Sequence, residues 1–249
     1  MSAGSGRRIP PWGWLLVAVR LVAMLVTLAL HLALYYLLAP FTRHNPVPRW
    51  FLRAIGHVAG LEVRTQGSRP APGTFILANH VSWLDIPALA STAGSAFVAH
   101  DGLARIAPLR WLCRLNRTVF IARHERRSVA AQVGQVRAAL GDAGVLTIFP
   151  EGTTSDGTAR LAFKSSLLSA LEGLDDVPVQ PVRLDYGRDT RAIAWVGEEP
   201  GLDNALRILA RWRPIRLTVR FLPPLTPAER SDRKRMAAAA QAAIERAGA

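Results

Sequence analysis

The chain has one cysteine, Cys113, and two lysines, Lys164 and Lys234, in 249 residues. A single cysteine excludes an intrachain disulfide and fits a reducing compartment. With lysine nearly absent, the basic excess falls almost entirely on arginine: Lys and Arg total 31, Asp and Glu 18, and the formal net charge is +13. Such a charge suits a polyanionic partner, either nucleic acid or an anionic membrane face. No nucleic-acid motif or basic-aromatic stripe is present, so the sequence gives nucleic acid no support. No internal repeat occurs, and the one low-complexity patch is Ala237–Ala240. Apolar residues, by contrast, are abundant. Half of the chain is hydrophobic, high for so basic a protein, and this tilts the reading toward a membrane. The length suits a single domain with a short accessory segment, large enough to bury a core.

That accessory segment comes first. Met1–Arg8 is small, polar and basic, and Trp12–Ala39 is then almost wholly apolar, interrupted by Arg20 and His31. Roughly 20 apolar residues cross a bilayer core, and Leu21–Ala39 nearly meets that length. Trp12, Trp14, Tyr35 and Tyr36 stand near the two ends, as interfacial aromatics do. Arg20 is costly at mid-membrane but tolerable if it snorkels from near an end. A cleaved signal peptide fits poorly, because no clear cleavage site precedes Pro40. One spanning helix, a helical pair, a helix lying partly in the interface and a buried core helix are the alternatives. Basic residues flank both sides, with a slight bias toward a cytoplasmic main domain. Residues 1–45 are therefore assigned to anchoring and 46–249 to the main domain.

In the main domain a helix over Trp50–Ala59 precedes alternating segments. Strands are predicted over Leu61–Thr65, Thr74–Ala78, Ala96–Ala99, Thr118–Ala122, Val145–Phe149, Val179–Leu184, Ala192–Val196 and Ile215–Phe221. Helices are predicted over Trp83–Ala93, Ala107–Leu115, Ser128–Ala143, Ser165–Glu172, Asp203–Arg211 and Pro227–Arg246. Alternation of this kind specifies an α/β sheet with helices on its faces. The unbroken apolar run at Val145–Phe149 reads as a central strand buried on both faces. Thr226-Pro227-Ala228-Glu229 has the residues of a helix start.

Three stretches carry candidate chemistry. In Asn79-His80-Val81-Ser82-Trp83-Leu84-Asp85 a histidine stands where a strand stops and a carboxylate where a helix starts. Residues five apart on one helix diverge by about 140°, so His80 and Asp85 meet only if His80 lies in the preceding turn. Two readings fit: Ser82 and Asp85 as a helix-capping pair, or His80 and Asp85 as a dyad. In the dyad, the carboxylate fixes the imidazole tautomer and raises the basicity of the other nitrogen. The loop Phe149–Gly157 holds Glu151, Gly152, Thr153, Thr154 and Ser155, a set of carboxylate, backbone and hydroxyl groups suited to a phosphate or polar headgroup. Lys164 adds charge beside it. Arg123, at a strand end, is placed to grip a phosphate by two hydrogen bonds.

Together these blocks resemble the glycerolipid acyltransferase family, of the 1-acylglycerol-3-phosphate acyltransferase type. The resemblance spans roughly Ile76 to Leu184. It rests on Asn79-His80…Asp85, Phe120-Ile121-Ala122-Arg123, Phe149-Pro150-Glu151-Gly152-Thr153-Thr154-Ser155 and the strand around Val177-Pro178-Val179-Gln180-Pro181-Val182. It implies a mixed, mostly parallel sheet flanked by helices, and acyl transfer from acyl-CoA or an acyl carrier protein to a lysolipid hydroxyl. Under it His80 is the general base and Asp85 its partner, and Arg123, Glu151 and Gly152 belong to the acceptor-binding blocks. No cofactor or metal is expected. The expected partners are membrane lipids, the lysolipid acceptor and the acyl carrier, and the expected location is a bacterial-type inner membrane, with the catalytic domain on the cytoplasmic side. Cys113 has no base beside it and is not expected to carry the acyl group.

Two departures stand out. Thr154 occupies the place where the third block usually has arginine, which the resemblance links to phosphate recognition. His100 and Asp101 stand where relatives often have lysine and glutamate. The leading expectation is acylation of 1-acyl-sn-glycerol-3-phosphate to phosphatidic acid. The alternatives are a lysolipid with another headgroup, such as lyso-ornithine lipid, and a non-catalytic basic membrane-binding protein. His44, His57, His100 and His124 are expected to be surface groups.

Overall fold

The computed structural model describes residues 9–100, 106–121, 129–157, 161–171, 173–197 and 199–248. Seven strands form one sheet in the order β1-β7-β6-β2-β5-β3-β4. They span Leu61–Gln66 (β1), Thr74–Ala78 (β2), Ala96–His100 (β3), Val119–Ile121 (β4), Val145–Ile148 (β5), Val179–Asp185 (β6) and Ile215–Phe221 (β7). Every neighbouring pair is parallel except β6–β7, so β1 and β7 run against the other five. The expected mixed, mostly parallel sheet is what forms. Its helices are Pro11–Leu38 (α1), Val47–Val58 (α2), Asp85–Ala93 (α3), Ala107–Leu115 (α4), Val129–Ala143 (α5), Thr190–Ile193 (α6), Gly201–Leu209 (α7) and Arg233–Arg246 (α8), with a 3-10 helix at Ser165–Leu171.

The sheet divides the core into two layers. Successive β2 residues point to opposite faces. Ile76 and Ala78 join the layer under α3 and α7, and Phe75 and Leu77 join the layer under α5 and α8. Every residue of β2 and of β5 is buried, which explains why neither run alternates in sequence. At about 1.5–3 kcal/mol for each large side chain fully buried, this stretch anchors the sheet. In α8, Met236, Ala237, Ala240 and Ile244 form the buried stripe, so the alanine cluster is a packing surface set three to four residues apart.

Three local expectations are corrected. Ala192–Val196 is no strand: its first residues finish α6, and Trp195 N–H donates to the Val81 carbonyl at 3.0 Å. That single loop contact builds no ladder. Pro227–Arg246 is helical only from Arg233. Thr226 and Glu229 do make the reciprocal capping bonds, at 2.8 and 3.3 Å, but around an isolated turn. Asp232 then caps the true helix, accepting from Lys234 N and Arg235 N at 2.9 Å each. Arg20 does not snorkel. Its Nη1 donates to the carbonyls of Leu209 and Arg211, at 2.9 and 2.8 Å, the electronegative end of α7. Val17 joins the core layer below, and Met24 packs against it. The opposite side of α1 exposes Leu15, Val19, Val22, Val26 and Leu30.

Candidate active site

The sheet brings the C-terminal ends of β2 and β5 side by side. The two candidate blocks leave from those ends, where parallel sheets commonly mount their sites. Asn79, next to β2, secures the exit. Its amide Nδ2 donates to Leu184 O at 3.0 Å and its Oδ1 accepts from Leu184 N at 2.7 Å. This side chain thus continues the ladder to β6 by one more rung.

His80 lies in the turn before α3, as the dyad reading requires. Its Nδ1 is 2.8 Å from Asp85 Oδ2. Because a carboxylate accepts, Nδ1 carries the proton and Nε2 keeps its lone pair. The ring lies on Phe149, with centroids 4.0 Å apart and planes 16° from parallel. The histidine side chain is 19% exposed, and Asp85 is fully buried.

Asp85 resolves the two readings of this stretch, because it serves both. Oδ2 also accepts from Val81 N at 2.7 Å and Ser82 N at 3.0 Å, closing the turn that starts α3. Ser82 contributes only a long bond from Leu84 N at 3.4 Å, and Asp85 is the first helical residue rather than the third. Oδ1 accepts from the Tyr186 hydroxyl at 2.5 Å. Tyr186 is buried. Burial and the adjacent Asp85 carboxylate drive its phenol well above the usual tyrosine range, so it stays a donor. A buried carboxylate must have its lone pairs occupied, and Asp85 receives four bonds from four different residues. No motif in the sequence pointed to Tyr186, which directly follows the C-terminal end of β6.

The Phe149–Gly157 loop grips the His80 backbone from both sides. Glu151 Oε1 accepts from His80 N at 3.0 Å. The His80 carbonyl accepts from Ser155 N at 2.7 Å and Ser155 Oγ at 3.1 Å. Glu151 is buried, and among the described residues its Oε2 has no hydrogen-bond partner. Burial pushes its carboxyl above the usual range, opposed by the His80 N–H and by the nearby Ser155 hydroxyl. Gly152 turns the loop at φ 71°, and Thr153 is exposed. Gly157 closes it at φ 67°, where a Cβ would stand 2.2 Å from Thr190 Cγ2. Thr154 Oγ1 donates to the Trp195 carbonyl at 2.5 Å. Lys164 N–H donates to Pro150 O at 2.9 Å, which holds this exposed residue beside the loop. Arg123 and His124 lie outside the described residues, as does the side chain of His100. His44 and His57 are exposed, as expected. Burial raises the Cys113 thiol, which disfavours the thiolate a nucleophile needs.

The arrangement presents one imidazole nitrogen, oriented by a buried carboxylate, on a rigid turn. It can accept a proton from a hydroxyl. The Acyltransferase family model matches residues 58–185, more than half of the chain, including His80, Asp85 and the Phe149–Gly157 loop. The chain belongs to the acyltransferase family. This acyltransferase is 34% identical to a lyso-ornithine lipid O-acyltransferase of Rhodobacter capsulatus, over 97% of the chain and 90% of the relative. It is 31% identical to a 1-acyl-sn-glycerol-3-phosphate acyltransferase of Neisseria gonorrhoeae, over 72% of each. Its fold matches the crystal structure of the 1-acyl-sn-glycerophosphate acyltransferase PlsC from Thermotoga maritima, with a TM-score of 0.69 at 21% identity and 94% coverage of both chains.

Proposed function

We propose that this acyltransferase moves a fatty acyl chain from an acyl thioester, on coenzyme A or an acyl carrier protein, to the hydroxyl of a lyso-ornithine lipid at a membrane surface. His80 is the general base and Asp85 orients it. His80 Nε2 removes the proton as the acceptor hydroxyl oxygen forms a bond to the thioester carbonyl carbon. The tetrahedral intermediate then expels the thiolate, the C–S bond breaks, and the imidazolium returns its proton to sulfur. Asp85 stays ionised and stabilises the imidazolium while it exists.

The observation that carries the acceptor assignment is the contact of Thr154 with Trp195. Where the resemblance leads one to expect a phosphate-binding arginine, this chain has a short hydroxyl already committed to a backbone carbonyl. Similarity to the Rhodobacter capsulatus relative along almost the whole chain supports the same acceptor. The order of the two enzyme readings is therefore the reverse of the sequence expectation. 1-Acylglycerol-3-phosphate remains the second reading, favoured by the likeness to the Neisseria gonorrhoeae enzyme. Apolar side chains exposed along α1 support membrane association, with the acyl chains entering from the bilayer.

The deciding experiment gives the purified protein each lysolipid with each donor type. Turnover on lyso-ornithine lipid is expected to exceed that on 1-acylglycerol-3-phosphate by at least tenfold, and His80→Ala is expected to abolish both while membrane binding persists. A preference for the phosphate acceptor overturns the headgroup assignment. Wild-type turnover by His80→Ala overturns the base.

A further inference from the structure

A cavity of about 270 Å³ opens at the other end of the sheet from His80. Gly94–Ala96, which lead into β3, and Gly141–Gly144, which lead into β5, form part of its wall. Both strands run parallel to β2, so the length of that five-residue strand, about 16 Å, separates the cavity from the His80 turn. The α1–α2 connection adds His44, Asn45 and Pro46, and the end of α4 adds Leu115 and Asn116.

Arg49 and Arg117 both line this cavity. Arg49 Nη2 donates to Ala143 O at 3.0 Å, and Arg117 donates to the carbonyls of Asp142 and Arg43. Among the described residues neither arginine has an ion-pair partner, although Asp142 lines the same cavity. Arg49 uses only Nη2 in those bonds, so Nε and Nη1 keep donors to offer. Burial, then repulsion from Arg117, holds the Arg49 guanidinium below its ordinary value. Gly94, the left-handed cap of α3 at φ 65°, lies against Arg49, whose Nη1 a Cβ there would approach to 2.9 Å. Arg117 itself adopts φ 57°, uncommon for a residue with a side chain. Like charges held together without a carboxylate lower their repulsion by binding an anion, and guanidinium forks match phosphate geometry.

We propose that this cavity binds the phosphate of an anionic membrane lipid headgroup, at a site separate from the acceptor site. Continuity with the apolar surface selects a lipid. The exposed apolar side chains of α1 run on through Leu37 to Phe41, which is 81% exposed, and Arg43 and His44 follow directly. A phosphate at the plane of the headgroups would meet Arg49 and Arg117 while Phe41 enters the acyl region. The proposal rests on membrane association and not on the identity of the acceptor.

The test uses the full chain in detergent and on vesicles of phosphatidylcholine, with and without phosphatidylglycerol. Wild-type protein is expected to sediment several-fold more with the anionic vesicles. The variant R49Q/R117Q is expected to lose that preference, whereas R64Q/K234Q, which removes the same charge from exposed positions elsewhere, keeps it. Turnover of detergent-dispersed lysolipid stays at the wild-type level in both. Should R49Q/R117Q fail to fold, Asn116→Asp places a carboxylate in the cavity, leaves both arginines' carbonyl bonds intact, and should abolish the preference alone. Equal loss in R49Q/R117Q and R64Q/K234Q would reduce the effect to net charge and overturn the site. Thermal stabilisation of wild type by inorganic phosphate, without any preference among vesicles, would overturn the lipid assignment in favour of a soluble phosphate.

Discussion

Asp85 receives a hydrogen bond from the Tyr186 hydroxyl on the oxygen that His80 does not use. In the proposed mechanism this bond acts only through the base, by fixing the carboxylate plane that aims the imidazole. A hydrogen bond to an ionised group contributes about 1.5–3 kcal/mol, and 1.4 kcal/mol of barrier is about tenfold in rate. Tyr186→Phe is therefore expected to lower kcat about tenfold or more with KM little changed, as steady-state kinetics on the preferred acceptor would show. Glu151 offers a second test at this scale. Its carboxyl titrates above the usual 4.5 because it is buried. A raised folded-state value means that the folded chain holds the proton after the unfolded chain has released it. Stability contributed by the protonated form is thus lost as pH rises from 4.5 through the folded value. Glu151→Gln keeps an oxygen for His80 N and removes the titration. Its Tm should fall less than that of wild type over the same rise in pH, measured by thermal melts in a buffer series.

Among the elements, strands and helices whose residues are buried on both sides or on a regular stripe were legible in the sequence. Thr74–Ala78 and Ile215–Phe221 have the predicted ends because the pattern and the burial coincide. The misses have a common physical origin. At Ala192–Val196 the apolar residues pack against a loop and α7, not against a neighbouring strand, and no local pattern distinguishes the two. Tyr186 lies 101 positions from Asp85, a pairing created by sheet order alone. Arg20 is the same kind of case. Its sequence neighbours made it a membrane anomaly, whereas its partners, Leu209 and Arg211, follow some 190 residues later. Two charged hydrogen bonds at a helix C-terminus dock α1, and Arg20→Met, which keeps most of the apolar stem, is expected to cost about 2 kcal/mol. A drop in Tm of the detergent-solubilised protein would show it. An unchanged Tm would mean that apolar packing around Val17 holds the helix without the arginine.

For the whole molecule, α1 has two different faces. One side covers the core layer through Val17 and Arg20, and the other exposes a file of aliphatic side chains. At about 1.5 Å per residue, its 28 residues extend about 42 Å. Length and composition alone would let it cross a bilayer, but the docked side commits its first half to protein contact. Under the membrane association proposed above, the helix would lay its apolar file against the bilayer while the catalytic domain stays outside. Replacing Leu15 and Val22 by aspartate should shift the protein from the membrane pellet to the soluble fraction with little change in Tm, because both side chains are exposed. The family was legible from four short motifs, and a long apolar N-terminal helix from composition. The docking of α1 was not, because it depends on contacts between the two ends of the chain.

The loop that carries Thr154 also grips the His80 backbone through Glu151 and Ser155. Under the proposed function, headgroup choice and base placement are therefore coupled: a substitution that reshapes this loop for a new lipid also disturbs the backbone that holds His80. A lineage changing its acceptor through these nine residues would first pass through slow enzymes. Trp195 is hydrogen-bonded to the loop and to the His80 turn through its own backbone N–H and carbonyl, so both bonds are available whatever side chain stands at this position. Under the same proposal, a change at the Trp195 side chain disturbs the base less than a change within the motif itself.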